Sequence, residues 1–557
     1  MGSISEKEFI NELTFCLKQE DIVKAKALLQ FASDSNVDVN VQKKALSELA
    51  KGPEKIVFPL LEYLTRLEIS NPEVQESLYE LILDMAYGNT DLVIEYIKEN
   101  TKKTRILFLQ AVGDLMLTDT AQALEDIIAS DGDKDILVEA IQSLGRLRLP
   151  EAISTISLMA VHPDREVKRA AIFAIAETGG TDAVDLLIGF LGDDEETDKL
   201  AVESLAEIQD IYSLERLASL LSSPVTIVRD TAIDQLMKLG TKATPILTKA
   251  FRNAEADYLV HLVTTLGYIG DPAAVPALLN IINTHPKDAN IRQATFEAME
   301  RIPSPRTAIC LAQGLQDEVE AVRMSAARAI DINLSKPLVA GLKNIIRDES
   351  QDSVKAVAAL IDSEAGNIFN FLVEEESFQK IAQEHVLNNA SPNARKSFLQ
   401  QLTSLGKKEL VKNLTSKIKE TPEPEKAEAA IFIIDDSKMM LKLYQNKLSA
   451  MGFEPTCFHR PEDAIPQIIK DRPQLVITDL NMPNISGLEL TREVRKEFTR
   501  KALPILMITT QSDFVESNDG NLKVDDSALS KSGINQVLYK PFRDKDLKNA
   551  VTALLKK

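Results

Sequence analysis

Three stretches of this chain are versions of one another: VKRAAIFAIAETGGTDAVDLLIGFL from Val167, VRDTAIDQLMKLGTKATPILTKAF from Val228 and VRMSAARAIDINLSKPLVAGLKNII from Val322. Each opens on an apolar residue with a basic neighbour, runs through small residues, breaks, and resumes as a second amphipathic stretch. The opening apolar position recurs at Ile136, Val167, Val228, Ile291, Val322 and Val354, in steps close to multiples of about 31 residues. Weaker copies start near Thr197 and Leu259, and the repeats from Val41, from Val74 and beyond residue 350 are more divergent. A helical hairpin cannot bury its apolar face alone, so such units stack and share one continuous core. Leu144-Gly145, Leu239-Gly240 and Ile269-Gly270 stand where first helices should end, with glycine supplying the left-handed terminating residue.

This portion, about 380 residues, resembles the short-repeat branch of the HEAT-repeat family. The resemblance implies an all-α superhelical solenoid over residues 1–415 and says little about function. HEAT-type hydroxylases hold iron through His-Glu pairs, and His162, His261, His285, His385 and His459 include no such pair. Glu384-His385 reads as an ordinary surface pair. Lys102-Lys103 with Arg105, the densest basic cluster of the array, reads as a solvated helix start rather than a nucleic-acid contact.

Composition narrows the partners. The 557 residues hold 64 Lys plus Arg against 84 Asp plus Glu, a formal net charge of −20, which disfavours nucleic acid and anionic membrane surfaces. No apolar run is long enough to span a bilayer, and MGSISEKEFI lacks the pattern of a secretion signal, so a cytoplasmic protein is expected. Cys16, Cys310 and Cys457 are scattered without metal-ligand spacing and fit a reducing compartment.

From Lys417 the text becomes KIKETPEPEKAEAA, a composition that cannot order itself, and residues 416–430 read as a tether stiffened by Pro422 and Pro424. The pattern then alternates: IFII, a helix from Lys438 to about Ala450, PTCFH, a helix from Pro461 to Lys470, QLVIT, a helix from Leu488, PILMIT, VLY and a last helix from Arg543. Short apolar strands separated by helices imply a doubly wound parallel α/β sheet over residues 431–557. Function in such a sheet belongs at the carboxyl ends of the strands. Asp435 and Asp436 follow the first strand, Asp479 the third, Thr509 closes the fourth and Lys540 follows the fifth. Carboxylates converging on one rim need a cation, and an oxygen-only set suits Mg²⁺. Asp479 then reads as a nucleophile placed where Mg²⁺ and a lysine neutralise a phosphoryl group.

With Asp-Asp after strand one, Asp-x-x-Met-Pro-x-x-x-Gly after strand three, Thr after strand four and Lys-Pro-Phe after strand five, residues 431–557 resemble the five-stranded, flavodoxin-like receiver domain of bacterial two-component response regulators. The resemblance implies that Asp479 takes a phosphoryl group from a sensor histidine kinase or phosphotransfer protein. It implies that Asp436, Asp479 and the carbonyl of Asn481 hold Mg²⁺, with Asp435 acting through water. Lys540 would pair with the phosphoryl oxygens and Thr509 would swing to bond one of them. The family often carries an aromatic residue three positions before the lysine; Val537 stands there, and Tyr539 lies on the same strand face by alternation. The stretch SDFVESNDGNLKVDDS lengthens the connection before helix four and reads as a flexible loop. Asn484-Ile485-Ser486 matches a glycosylation acceptor without the secretion signal that would give it meaning.

The expected function is a phosphorelay response regulator, not an enzyme beyond its own phosphorylation and dephosphorylation, whose receiver controls the docking of an unidentified protein on the HEAT surface. The alternative is a phosphate sink or relay receiver anchored by the solenoid.

Overall fold

Aspartates start the repeats. In the computed structural model Asp133, Asp164, Asp194 and Asp288 each accept hydrogen bonds from backbone N–H groups of the turn that follows, satisfying donors a helix start leaves open. The third helical residue after these caps faces the core, as Ile136, Val167, Thr197 and Ile291 do. Val228 and Val322 hold the same place behind uncapped starts.

The structure describes residues 6–32, 37–192, 194–284, 287–418, 429–482, 485–509, 515–516, 523–524, 532–540 and 542–556. Most of the proposed tether, with Pro422 and Pro424, lies outside these residues, as do His285, Asn484, Pro541 and much of the loop after Thr509. Two short segments of that loop, β5 (Val515–Glu516) and β6 (Lys523–Val524), pair antiparallel. No helix among the described residues is long and apolar enough to cross a membrane.

The chain forms two compact units, Met1–Ser213 and Leu214–Lys557. In the first, successive helices such as Lys102–Asp114, Lys134–Arg146 and Arg165–Thr178 lie side by side. Gly145 does not end its helix as expected. It lies inside Lys134–Arg146, where an added Cβ would stand 2.7 Å from the Ala174 Cα, so its role is close helix approach. Gly240 and Gly270, with φ of 61° and 74°, do cap their helices. The basic cluster is not simply solvated either. Lys102 pairs with Asp133 and Asp135, and the largely buried Arg105 with Asp131 at 2.6 Å, so acids of the next repeat neutralise these two members of it.

In the second unit the helices Ala256–Ile269, Ala289–Arg301, Glu320–Ile332 and Gln351–Asp362 follow one another side by side. Val354 departs from its predicted place: it is 44% exposed, and Ser353 takes the buried position, donating its hydroxyl to the Ile345 carbonyl at 2.7 Å. The repeat start is therefore one residue earlier than apolar matching suggests. His385 is also corrected. It is buried, with Nε2 3.0 Å from the Asp362 carboxylate, rather than part of a surface pair.

The same unit carries the sheet, whose strands are β1 (Ile431–Ile434), β2 (Thr456–Phe458), β3 (Leu475–Asp479), β4 (Ile505–Thr509) and β7 (Gln536–Tyr539). All neighbours are parallel, in the order β2-β1-β3-β4-β7. Strand alternation divides the core. Ile431, Ile433, Leu475, Ile477, Leu506 and Ile508 face the helices Lys438–Ala450 and Asp544–Leu555. Phe432, Ile434, Val476 and Ile505 face Pro461–Asp471 and Gly487–Glu497.

The Lys438–Ala450 helix also lies against the solenoid helices Glu320–Ile332, Gln351–Asp362 and Pro392–Ser404. Met324 enters the same apolar cluster as Met440 and Tyr444. Lys442 pairs with Glu364 at 2.6 Å and Lys447 with Glu320 at 2.9 Å, while Asn446 donates to the Asp362 carbonyl at 2.9 Å. Residues 431–557 carry 19 Lys plus Arg against 17 Asp plus Glu, whereas the solenoid is acidic, so these lysines meet a surface of opposite charge.

Candidate functional site

The sheet order puts β1 and β3 side by side at its centre, so their carboxyl ends open into one crevice. Ile434 pairs with Thr478 in register, which brings the residues just beyond, Asp435 and Asp436, next to Asp479. β4 and β7 then deliver Thr509 and Lys540 to the same rim, with the Lys540 N–H donating to the Thr509 carbonyl at 2.7 Å. Local chemistry fixes the first loop: Asp435 accepts from the Ser437 N–H at 2.8 Å, and Ser437 caps the helix by accepting from the Met440 N–H at 3.1 Å. Asp436 is thereby left out of capping.

Asp435, Asp436 and Asp479 each offer an oxygen, and these atoms lie within 4.8 Å of one another. The Lys540 ammonium stands 3.1 Å from Asp479 and 3.3 Å from Asp435. Asp435 is only 1% exposed at its side chain, Lys540 11% and Asp479 12%. Burial, reinforced by the carboxylates of Asp435 and Asp436, pushes Asp479 well above the usual carboxylate range against the pull of Lys540. Burial likewise lifts Asp436 to about 6, with Lys540 opposing. Burial pulls Lys540 down, but Asp435 and Asp479 more than offset it and hold the ammonium well above its ordinary value. Asp435 and Asp479 thus share one ammonium, and burial disfavours the charged forms of Asp436 and Asp479. An oxygen-only set of this size fits a hard divalent cation.

Asn481 lies at the same rim, directly beyond β3, and accepts a hydrogen bond at Oδ1 from Arg229 at 3.3 Å. Thr509 is buried at the end of β4. Val537 packs against the Leu480, Met507 and Ile534 cluster, and Tyr539 pairs with Thr509 in register.

Sequence reasoning missed the residues that complete the cavity. Asp230, Asp234, His261, Asn290 and Glu297, all from solenoid helices, line it together with Asp435, Asp436, Asp479 and Lys540. Ser437 donates to Glu297 at 3.1 Å, Asn290 donates to the Lys540 carbonyl at 3.3 Å, and Arg301 stands 3.6 Å from Asp436. Tyr444 is buried beside Lys540, its ring stacked on Phe542 at 5.8 Å, and burial raises its phenol well above the usual value. These partners lie up to 252 residues apart, and no local pattern announces them.

Comparison with known proteins agrees with this geometry. Residues 431–552 match the response regulator receiver domain, and residues 121–199 and 254–331 match HEAT repeats. Chemotaxis protein CheY1 of Helicobacter pylori strain 26695 is 31% identical over 127 residues, covering 22% of this chain and 95% of that protein. Chemotaxis protein CheY-3 of Vibrio cholerae is 28% identical over 130 residues, covering 23% of this chain and 92% of the relative. A CheY homologue of Campylobacter jejuni strain 81-176 is 29% identical over 127 residues, with 22% and 91% covered. Fold and site together define a two-component response regulator. The chain belongs to the response regulator receiver family, joined here to HEAT repeats.

Proposed function

We propose that Asp479 accepts a phosphoryl group and that its occupancy controls which protein docks on the HEAT scaffold. The observation that carries this reading is the cluster of Asp435, Asp436 and Asp479 with Lys540 at 3.1 Å from the acceptor, at the carboxyl ends of parallel strands. In this reading residues 1–415 are the scaffold, 416–430 the tether and 431–557 the receiver.

An Asp479 carboxylate oxygen attacks phosphorus as the P–N bond of a phosphohistidine breaks. The electron pair stays on the imidazole nitrogen, which takes a proton from solvent. Lys540 stabilises the attacking carboxylate and then the transferred oxygens. Thr509, buried at the end of β4, would bond one of those oxygens. Asp436, Asp479 and the Asn481 carbonyl would hold Mg²⁺, with Asp435 through water; bound there it supplies added positive charge. Tyr539 and Val537 are the positions through which occupancy would be relayed along β7. The phosphodonor would be a sensor kinase or a phosphotransfer protein.

The direct test is incubation of the chain with acetyl phosphate and MgCl₂, followed by intact-mass measurement. A single phosphoryl adduct is expected, absent in Asp479→Asn; an adduct that persists in that variant refutes the assignment. The contact between the receiver and the solenoid favours control of the scaffold over a sink merely anchored by it.

A further inference from the structure

Three of the strand ends that carry the acceptor site are held by the solenoid. After β1, Ser437 donates to Glu297 at 3.1 Å and Asp436 faces Arg301 at 3.6 Å. After β3, Asn481 accepts from Arg229 at 3.3 Å, and after β7 the Lys540 carbonyl accepts from Asn290 at 3.3 Å. The helices Thr226–Leu239, Ala256–Ile269 and Ala289–Arg301 contribute Asp230, Asp234, His261 and Glu297 to the far wall of the cavity over Asp479.

We propose that this solenoid wall determines which phosphodonor reaches Asp479: a small acyl phosphate enters the cavity, whereas a phosphohistidine carried on a folded protein is excluded until the receiver leaves the repeats. The inference rests on the receiver reading and deepens it. A protein donor must bring an imidazole-bound phosphorus to the Asp479 oxygen in line, within a few ångströms. Its own backbone would then have to pass through the helices that bear Arg229, Asn290 and Arg301. The cavity retains about 100 Å³, and Asp479 keeps 12% exposure, enough for a small molecule and too little for a protein surface. Release depends on contacts away from the acceptor, among them Lys442 with Glu364 and Lys447 with Glu320, which help set the fraction of open receiver.

The experiment places a cysteine at the acceptor by Asp479→Cys in the full chain, with Cys16, Cys310 and Cys457 changed to alanine. It compares modification by methyl methanethiosulfonate with modification by a maleimide coupled to a folded carrier protein. The small reagent is expected to react readily. The carrier-borne reagent should react at least about tenfold faster after Lys442→Glu and Lys447→Glu are added, because the open fraction limits its access. Lys447 also pairs with Asp544 within the receiver, so adding Glu364→Lys, Glu320→Lys and Asp544→Lys to that pair should restore the slow rate, which separates loss of docking from loss of folding. Equal carrier rates in the closed and opened chains overturn the proposal, as does a chain whose opened form fails to return to the slow rate. The readout is independent of phosphorylation, so absence of an acetyl phosphate adduct on the unmodified chain would strike the receiver reading and leave this result standing.

Discussion

The guanidinium of Arg301, on a solenoid helix, stands 3.6 Å from the Asp436 carboxylate of the acceptor site and lies over the Tyr268 ring, 4.4 Å from its centroid. A cation fixed on one element thus faces a carboxylate cluster on another. Because both groups keep some contact with water, the pair is weaker than its Coulomb energy suggests. A double-mutant cycle of Arg301→Ala with Asp436→Asn, followed by urea unfolding, should yield a coupling of about 1 kcal/mol. A coupling near zero would leave Arg301 with only its stacking on Tyr268.

Among the described residues Lys540 is the one ammonium shared by Asp435 and Asp479, and all three are largely buried. Lys540→Met strands two carboxylates, so the unfolding free energy should fall by about 3 kcal/mol without divalent cation. Addition of MgCl₂ should recover part of that loss, since a ligand that binds only the folded state raises stability by mass action. Chemical denaturation with and without MgCl₂ measures both, and an unaltered midpoint in the variant would argue against the ion-pair geometry.

Gly487 opens the helix after β3 and donates its N–H to the Leu480 carbonyl at 2.8 Å. A Cβ there would meet the Asp479 carbonyl oxygen at 2.1 Å, a backbone atom that cannot step aside without moving the acceptor. Gly487→Ala should cost about 2 kcal/mol of stability and cut the acetyl phosphate adduct sharply. Normal labelling by intact mass would show that the turn tolerates a side chain.

His261 lines the cavity and is buried, and burial, with Arg229 adding to it, lowers its imidazole to about 3. The unfolded chain takes up a proton near pH 6.5 that the folded chain refuses, so this residue's contribution is lost as pH falls from about 6.5 toward 3. Between pH 7 and pH 5 the loss is about 2 kcal/mol. His261→Leu should flatten the acid limb of unfolding free energy against pH by that amount; identical slopes in the two proteins would place the imidazole in water.

Much of this protein was open to reading from residue order alone, for reasons that are local. The helix and strand boundaries of residues 431–557 follow from hydrophobic period and turn chemistry, which act over a few residues. Lys438–Ala450 and Ile505–Thr509 occur where their patterns place them. The convergence of Asp435, Asp436, Asp479, Thr509 and Lys540 was also legible, because parallel pairing carries every strand end to one rim. Where residue class misled, packing was the reason. Val354 looks like a core residue but turns outward because Ser353 fills the buried position with its hydroxyl satisfied by a carbonyl. Gly145 looks like a cap but serves helix contact.

The wall over the acceptor belonged to tertiary structure alone. Arg229, Asn290, Glu297 and Arg301 are unremarkable in sequence, each an ordinary polar residue of a repeat helix. They become part of the site because Lys442 and Lys447 find Glu364 and Glu320, and Met324 enters the apolar cluster beside Met440. Sequence periodicity encodes which face of a helix is buried, since that is a property of neighbours along the chain. Which distant surface covers that face depends on the summed complementarity of two folded bodies, and no stretch of either carries that sum.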